Sequence, residues 1–337
     1  MRNSAYWLEG FRFAPEIWKC GVYYVVLAGG IRGILILHGK WENDGMKIRQ
    51  KGMLLSVVLI SILFLGFRQR NYLSVTCLDI GQGDAIVIQI PGGKNIMVDG
   101  GSSSKKNTAA GQLLPYLKNQ GISVIDAILL SHTDIDHISG VQELMDLKEK
   151  HLTTLRIKYL LLPDWKTPEP VYDELEAKAK RCGISVLKLQ QGQKLQFGDA
   201  TMKILSPEPG TEGTNPNEEG LVMELCYGKF RGLFTGDIGE ETEKKLLPRL
   251  DDVDFLKVGH HGSRYSSCQE FLDRIQPEAA VISCSESNTY GHPSPETIKR
   301  LEQNGIKTMY TMKSGAVTVS TDGGHMWLET FCDGKTA

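Results

Sequence analysis

Four side chains that can bind metal stand within six positions, His132, Asp134, Asp136 and His137, directly after the apolar run 125–131 and before a segment patterned as a helix. At the C-terminal edge of a strand the chain is turning, so imidazoles and carboxylates placed there converge on one site. Aspartate at such a junction often only caps the helix, and isolated histidines are usually surface residues. Neither alternative accounts for two histidines and two aspartates together, and the cluster is read as a metal site. Thiolates are not expected in it. The seven cysteines, Cys20, Cys77, Cys182, Cys226, Cys268, Cys284 and Cys332, are scattered without a C-x-x-C and read mostly as buried free thiols.

Composition sets the wider frame. Of 337 residues 41% are hydrophobic and 23% charged, the range of one or two globular domains, which excludes a disordered or collagen-like chain. The net charge of -2 offers no global positive field, so a polyanion would have to be held by a local patch or by metal. From residue 71 the pattern is short β-rich runs punctuated by glycine, with 73–80, 84–90 and 95–99 reading as an antiparallel meander. Helices are expected at about 108–120, 139–150, 170–181, 239–247, 269–275 and 295–304. Strands are expected at 125–131, 157–163, 183–189, 253–258 and 279–284, hairpins at 194–206 and 221–237, and short strands at the end. The acidic, Pro/Gly-rich stretch 207–220 reads as a surface loop.

The first seventy residues have a different character. Residues 53–67 carry no charge and are bracketed by Lys51 and Arg68, which predicts a membrane span; a buried core helix is the alternative. A second apolar stretch, 20–37, contains a single Arg32 able to snorkel to an interface. Between them Lys40, Lys47, Arg49 and Lys51 form a basic loop that the positive-inside rule assigns to the cytoplasm. With one span or two, the domain from 71 to 337 then faces outwards.

The sequence also carries a resemblance. The His132-x-Asp134-x-Asp136-His137 pattern resembles the H-x-H-x-D-H signature of the metallo-β-lactamase superfamily, with aspartate replacing the second histidine. VDGG at 98–101, FTGD at 234–237 and LKVGHHGS at 256–263 follow in the superfamily's order. LDIGQGDA at 78–85, GHHGSRYS at 259–266 and YGHP at 290–293 are similar to the extracellular C-terminal domain of the ComEC family of DNA-uptake channel proteins, over nearly all of 71–337. WKCGVYYVVL at 18–27 is similar, less specifically, to the end of that family's channel domain.

The resemblance implies an α/β fold, an αββα sandwich holding two divalent metal ions, zinc or manganese, at one edge, preceded by one or two transmembrane helices. It implies His132 and Asp134 as ligands of the first metal, Asp136 and His137 of the second, and Asp237 bridging both. Either His260 or His261 completes the second, with His260 favoured by its adjacency to the strand 253–258. Asp136 and His292 are the implied catalytic residues, His292 donating to a leaving oxygen or contacting phosphate. Asp79, Asp84 and Asp99 are expected behind the ligands, with turn formation as the alternative for Asp79 and Asp84. Arg264, Lys105, Lys106 and Lys313 are candidates to line a polyanion's approach, or are solvated surface groups.

Two departures from the family pattern stand out. Aspartate at 134 and the lack of a third-motif histidine near 221–227 make the first metal position oxygen-rich, which favours manganese or magnesium relative to zinc. The implied function is a membrane-anchored, extracellular nuclease cleaving DNA, single-stranded in the first instance, beside other competence proteins. The alternatives are a phosphorylcholine esterase acting on cell-wall polymers and a non-catalytic DNA-transport subunit. With room for two spans at most, the chain is not expected to form a channel alone.

Overall fold

The computed structural model describes residues 71–167 and 170–332; the expected spans at 20–37 and 53–67 lie outside the described residues. Among the described residues no helix is long and apolar enough to cross a membrane. The first half contains β1 (Leu73–Cys77), β2 (Ile86–Ile90), β3 (Lys94–Val98), a π-helical turn leading into α1 (Leu114–Asn119), β4 (Val124–Leu129), α2 (Ile135–Glu149), β5 (Arg156–Pro163), α3 (Pro170–Arg181) and β6 (Ser185–Leu189). The second contains β7 (Lys194–Phe197), β8 (Ala200–Ser206), β9 (Val222–Tyr227), β10 (Phe230–Phe234), α4 (Glu240–Leu246), β11 (Phe255–Lys257), α5 (Gln269–Ile275), β12 (Ala279–Ile282), α6 (Pro295–Gln303), β13 (Lys307–Tyr310), α7 (Thr311–Ser314), β14 (Val317–Thr321) and β15 (Met326–Thr330).

Two mixed sheets result, one of eight strands in the order β15-β14-β1-β2-β3-β4-β5-β6 and one of seven in the order β13-β12-β11-β10-β9-β8-β7. The expected meander β1-β2-β3 is antiparallel, and β3 through β6 are parallel because helices carry each crossover. The strand alternation explains the layering. On β9, Met223 and Leu225 pack between the sheets while Val222 faces the helices. On β4, Ala127 and Leu129 face the other sheet while Ile128, with Leu130 just after the strand, packs with Val141 and Leu144 of α2. One apolar layer therefore lies between the sheets and one on the outer face of each, which is the αββα arrangement.

Local chemistry sets the helix ends. Ser294 caps α6 by accepting a hydrogen bond from Thr297 N at 3.2 Å, and Pro295 occupies the first turn. α2 begins at Ile135, earlier than the expected 139, so Asp136 and His137 stand on its first turn rather than in a loop. Asp134 takes the cap position but its side chain makes no capping bond, which removes the purely structural explanation of that aspartate. The six described cysteines are free, as expected, with Cys77, Cys268 and Cys284 buried.

Candidate metal centre

The segments after β4, β10 and β11 and the first turn of α2 each deliver side chains to one cluster. From the β4 edge comes His132, from the first turn of α2 Asp136 and His137, from the β10 edge Asp237, and from the turn after β11 His261. Asp237 Oδ2 lies 3.4 Å from His137 Nε2, 3.6 Å from His261 Nε2 and 3.9 Å from His132 Nε2. Asp136 Oδ2 lies 3.3 Å from His261 Nε2, and Asp134 Oδ2, half-exposed, 3.7 Å from His132 Nε2. All three histidines and Asp237 are buried.

The ring orientation is fixed from behind. His132 Nδ1 meets Ser131 Oγ at 2.9 Å, His137 Nδ1 meets Asp99 Oδ2 at 2.9 Å, and His261 Nδ1 meets the Ser283 carbonyl at 2.9 Å. Asp99 also accepts from Ser131 N and Ser131 Oγ, both at 2.7 Å. With each Nδ1 engaged from behind, Nε2 is the ring atom turned to the centre, where a cation that displaces any proton there would meet its lone pair. Those three Nε2 atoms, together with Asp237 Oδ1 and Asp84 Oδ1, are buried without any hydrogen-bond partner. Buried polar atoms are nearly always satisfied, so five orphans on side chains of one cluster are what a cation site requires.

The electrostatics point the same way. Burial opposes charge on Asp237, yet the His137, His261 and His132 rings hold its carboxyl well below the usual carboxylate range. Burial likewise opposes charge on His137, and Asp237 and Asp99 still raise it well above the ordinary histidine value. Asp136 is lowered against its burial by His261 and His137. The carboxylates thus stay charged only by drawing positive charge into the centre.

Residues 78–286 match the metallo-beta-lactamase superfamily. The chain belongs to that superfamily. ComE operon protein 3 of Bacillus subtilis is 30% identical over 258 residues, covering 72% of this chain and 32% of that protein. Recombination protein 2 of Haemophilus influenzae is 30% identical over 267 residues, covering 78% of this chain and 31% of that protein. The chain thus spans about a third of the length of these relatives, and with Competence protein ComA of Neisseria gonorrhoeae at 27% identity they make it ComEC-like. Among solved structures, the metallo-beta-lactamase fold protein YhfI from Bacillus subtilis aligns with a TM-score of 0.50 at 14% identity, over 76% of this chain and 99% of that one, a likeness of fold. The chain thus falls in a metallo-hydrolase family whose fold binds divalent cations, and the buried His/Asp cluster fits them.

Within this metallo-β-lactamase domain the histidine pair is resolved against the sequence preference. His260 and His261 both adopt left-handed backbone, φ +49° and +52°, a costly conformation for side-chain-bearing residues that concentrates at functional turns. The turn sends His261 inwards at 2% exposure and leaves His260 at 32%, 3.9 Å from Asp237 Oδ2. Adjacency to the strand was a poor guide because the chain reverses its twist immediately after it. His292 sits half-buried beside His260, ring centroids 5.5 Å apart. Burial and the His260 and His261 rings push it down to about 4.

The other expected residues divide. Asp99 Oδ2 lies against His137 Nδ1, behind the ring. Asp79 does not reach the centre: it accepts from Gly81 N at 3.2 Å and faces Lys105 Nζ at 3.5 Å, the turn-forming alternative. Arg264 is exposed beside Glu296 at 3.8 Å, Lys106 is exposed, and Lys313 lies over the Tyr310 ring. No contact ties these cations to the metal ligands. Leu221 N bonds the Ser131 carbonyl at 2.8 Å, beside the centre, and no histidine stands there. Sequence reasoning missed Ser131, which links His132 to Asp99, and Lys257, a buried ammonium 2.8 Å from Asp84 Oδ2. The signal for Lys257 was present: one cation inside the otherwise apolar run Phe255–Val258.

Proposed function

We propose that this chain is a membrane-anchored, outward-facing phosphodiesterase that cleaves DNA during competence-type uptake, with single-stranded DNA as its substrate. The observation that carries the reading is the convergence of the unpartnered Nε2 atoms of His132, His137 and His261 on Asp237. Divalent cations bound there supply Lewis acidity to a phosphoryl oxygen and lower the pKa of an attacking water. His132, Asp134, Asp136, His137, Asp237 and His261 would hold them, and Asp99, Ser131 and the Ser283 carbonyl keep the rings aimed.

The rim supports an unpaired nucleic acid. Tyr290 is exposed and stacks on His292, centroids 5.7 Å apart at 25°, and His292 in turn abuts His260. Such a ladder from solvent to the centre offers rings on which bases stack regardless of sequence. His292, neutral at neutral pH, serves as a hydrogen-bond donor to a phosphate or leaving oxygen rather than as an imidazolium acid. The apolar runs at 20–37 and 53–67 and the basic loop between them support anchoring with the domain outside. The names of the relatives support a place beside other competence proteins.

The exposed tyrosine also suits a quaternary ammonium, so a phosphorylcholine esterase acting on cell-wall polymers is the second reading. Purified chain supplied with manganese or zinc is tested on single-stranded DNA, duplex DNA, a simple aryl phosphodiester and a choline phosphodiester. The proposal expects single-stranded DNA to be cut fastest, and preference for the choline ester supports the second reading. No hydrolysis of any of them contradicts both, and leaves a transport role, in which uptake survives Asp136→Ala and Asp237→Ala.

A further inference from the structure

One buried carboxylate, expected only behind the ligands, stands among them instead. Asp84 lies on the loop between β1 and β2, buried, in a ring of potential ligand atoms with His137, Asp237 and His261 that all fall within 4.8 Å of one another. Its backbone is locked there by Asp84 N donating to the Asp136 carbonyl at 3.0 Å and Gly101 N donating to the Asp84 carbonyl at 3.1 Å. The approach is so close that a Cβ on the preceding Gly83 would collide with the carbonyl oxygens of Gly101 and Asp136. The two carboxylate oxygens have different fates. Oδ2 accepts from Lys257 Nζ at 2.8 Å, and Oδ1 is buried with no partner. Lys257 is itself buried, its remaining bond going to the Val258 carbonyl at 3.1 Å.

A purely structural ion pair would be expected to satisfy both oxygens, because a half-satisfied buried carboxylate is destabilising. An orphaned oxygen on a carboxylate that lies among three ligand side chains is explained by a cation. We propose that Asp84 belongs to the metal-binding set of this centre, presenting Oδ1 to the cation held by Asp136, His137, Asp237 and His261, with Lys257 as its fixed counter-charge. The inference rests on the reading of that cluster as a metal site. An added hard oxygen favours manganese or magnesium relative to zinc. Lys257 offsets the extra negative charge in a buried setting.

The test is isothermal titration of the metal-stripped full chain with manganese and with zinc, folding being checked by near-ultraviolet circular dichroism. Asp84→Asn keeps an acceptor for Lys257, so a structural role is largely preserved while the anionic ligand is lost. Because that variant leaves Lys257 buried without a counter-charge, the neutral pair Asp84→Asn/Lys257→Met is measured beside it. In the folded variants manganese affinity is expected to fall by more than about 100-fold, beyond the effect of losing a residue that only supports a ligand, and zinc affinity to fall less. Manganese binding that stays within about 100-fold of wild type in either folded variant, the range of a residue that only supports a ligand, would overturn the role of Asp84. Asp237→Asn separates the two levels: if the wild-type chain and Asp237→Asn bind alike, the metal reading itself fails.

Discussion

Two clusters of metal-type side chains occur among the described residues, and only one has the chemistry of a metal site. Glu240, Cys268 and Glu270 come together near the starts of α4 and α5, as closely as the ligands of the centre do. There, however, both carboxylates are exposed and answered by one ammonium: Lys244 Nζ lies 2.6 Å from Glu240 and 3.3 Å from Glu270. Burial pushes the Cys268 thiol up to about 12, so no thiolate is on offer. In the centre the opposite holds, with buried acceptors, few cations and orphaned lone pairs. Proximity of ligand-type residues is therefore weak evidence, and unsatisfied burial is strong evidence.

The contrast can be broken by substitution. The largest effect is expected for Asp237→Asn, which removes the carboxylate shared by three histidines. Metal affinity should fall by more than about 100-fold, beyond the effect of losing a supporting residue, and hydrolysis should fall with it, read by calorimetry and turnover. Next, His261→Ala should weaken metal binding roughly 10- to 100-fold while His260→Ala changes it only slightly; equal losses would undo the assignment of the inward ring. Metal itself should stabilise the fold by about 2.7 kcal/mol at a hundred times its Kd, seen as a rise in Tm that chelator reverses and Asp237→Asn abolishes.

Beside the second cluster, Glu243 sharpens the comparison through pH. Its buried carboxyl accepts from Ser267 N and Cys268 N, and burial still raises it to about 7 from an ordinary 4.5. The folded state then holds this proton more tightly than the unfolded chain, so its contribution to stability is present below about pH 4.5 and is lost as pH rises towards 7. Denaturant midpoints at pH 5 and pH 7.5 should show that decline in the wild type and a flatter response in Glu243→Gln. The smallest effect belongs to Glu240→Gln and Glu270→Gln, which should leave metal affinity unchanged; a weakened affinity would contradict the contrast between the clusters.

Much of this was legible in the sequence. The alternation of short strands with helices, the meander at 73–99 and the His132–His137 cluster needed only local patterns. What escaped depends on pairing across the chain. β14 lies antiparallel to β1, Leu73 opposite Thr321, and no local pattern encodes a partner so distant. Likewise, Lys257 and Asp84 meet only in three dimensions, and the inward turn of His261 follows from left-handed backbone that periodicity does not register. Asp79 and Asp84 share one loop and one residue type, yet only burial separates a turn former from a candidate ligand.

The most direct measurement is single-stranded DNA cleavage by the purified chain with manganese or zinc, run beside Asp237→Asn and a chelator-treated sample. Metal-dependent cleavage that disappears in both controls is the predicted result. Intact DNA with the wild-type chain fully metal-loaded, or cleavage that survives Asp237→Asn, would contradict a nuclease centred on these residues.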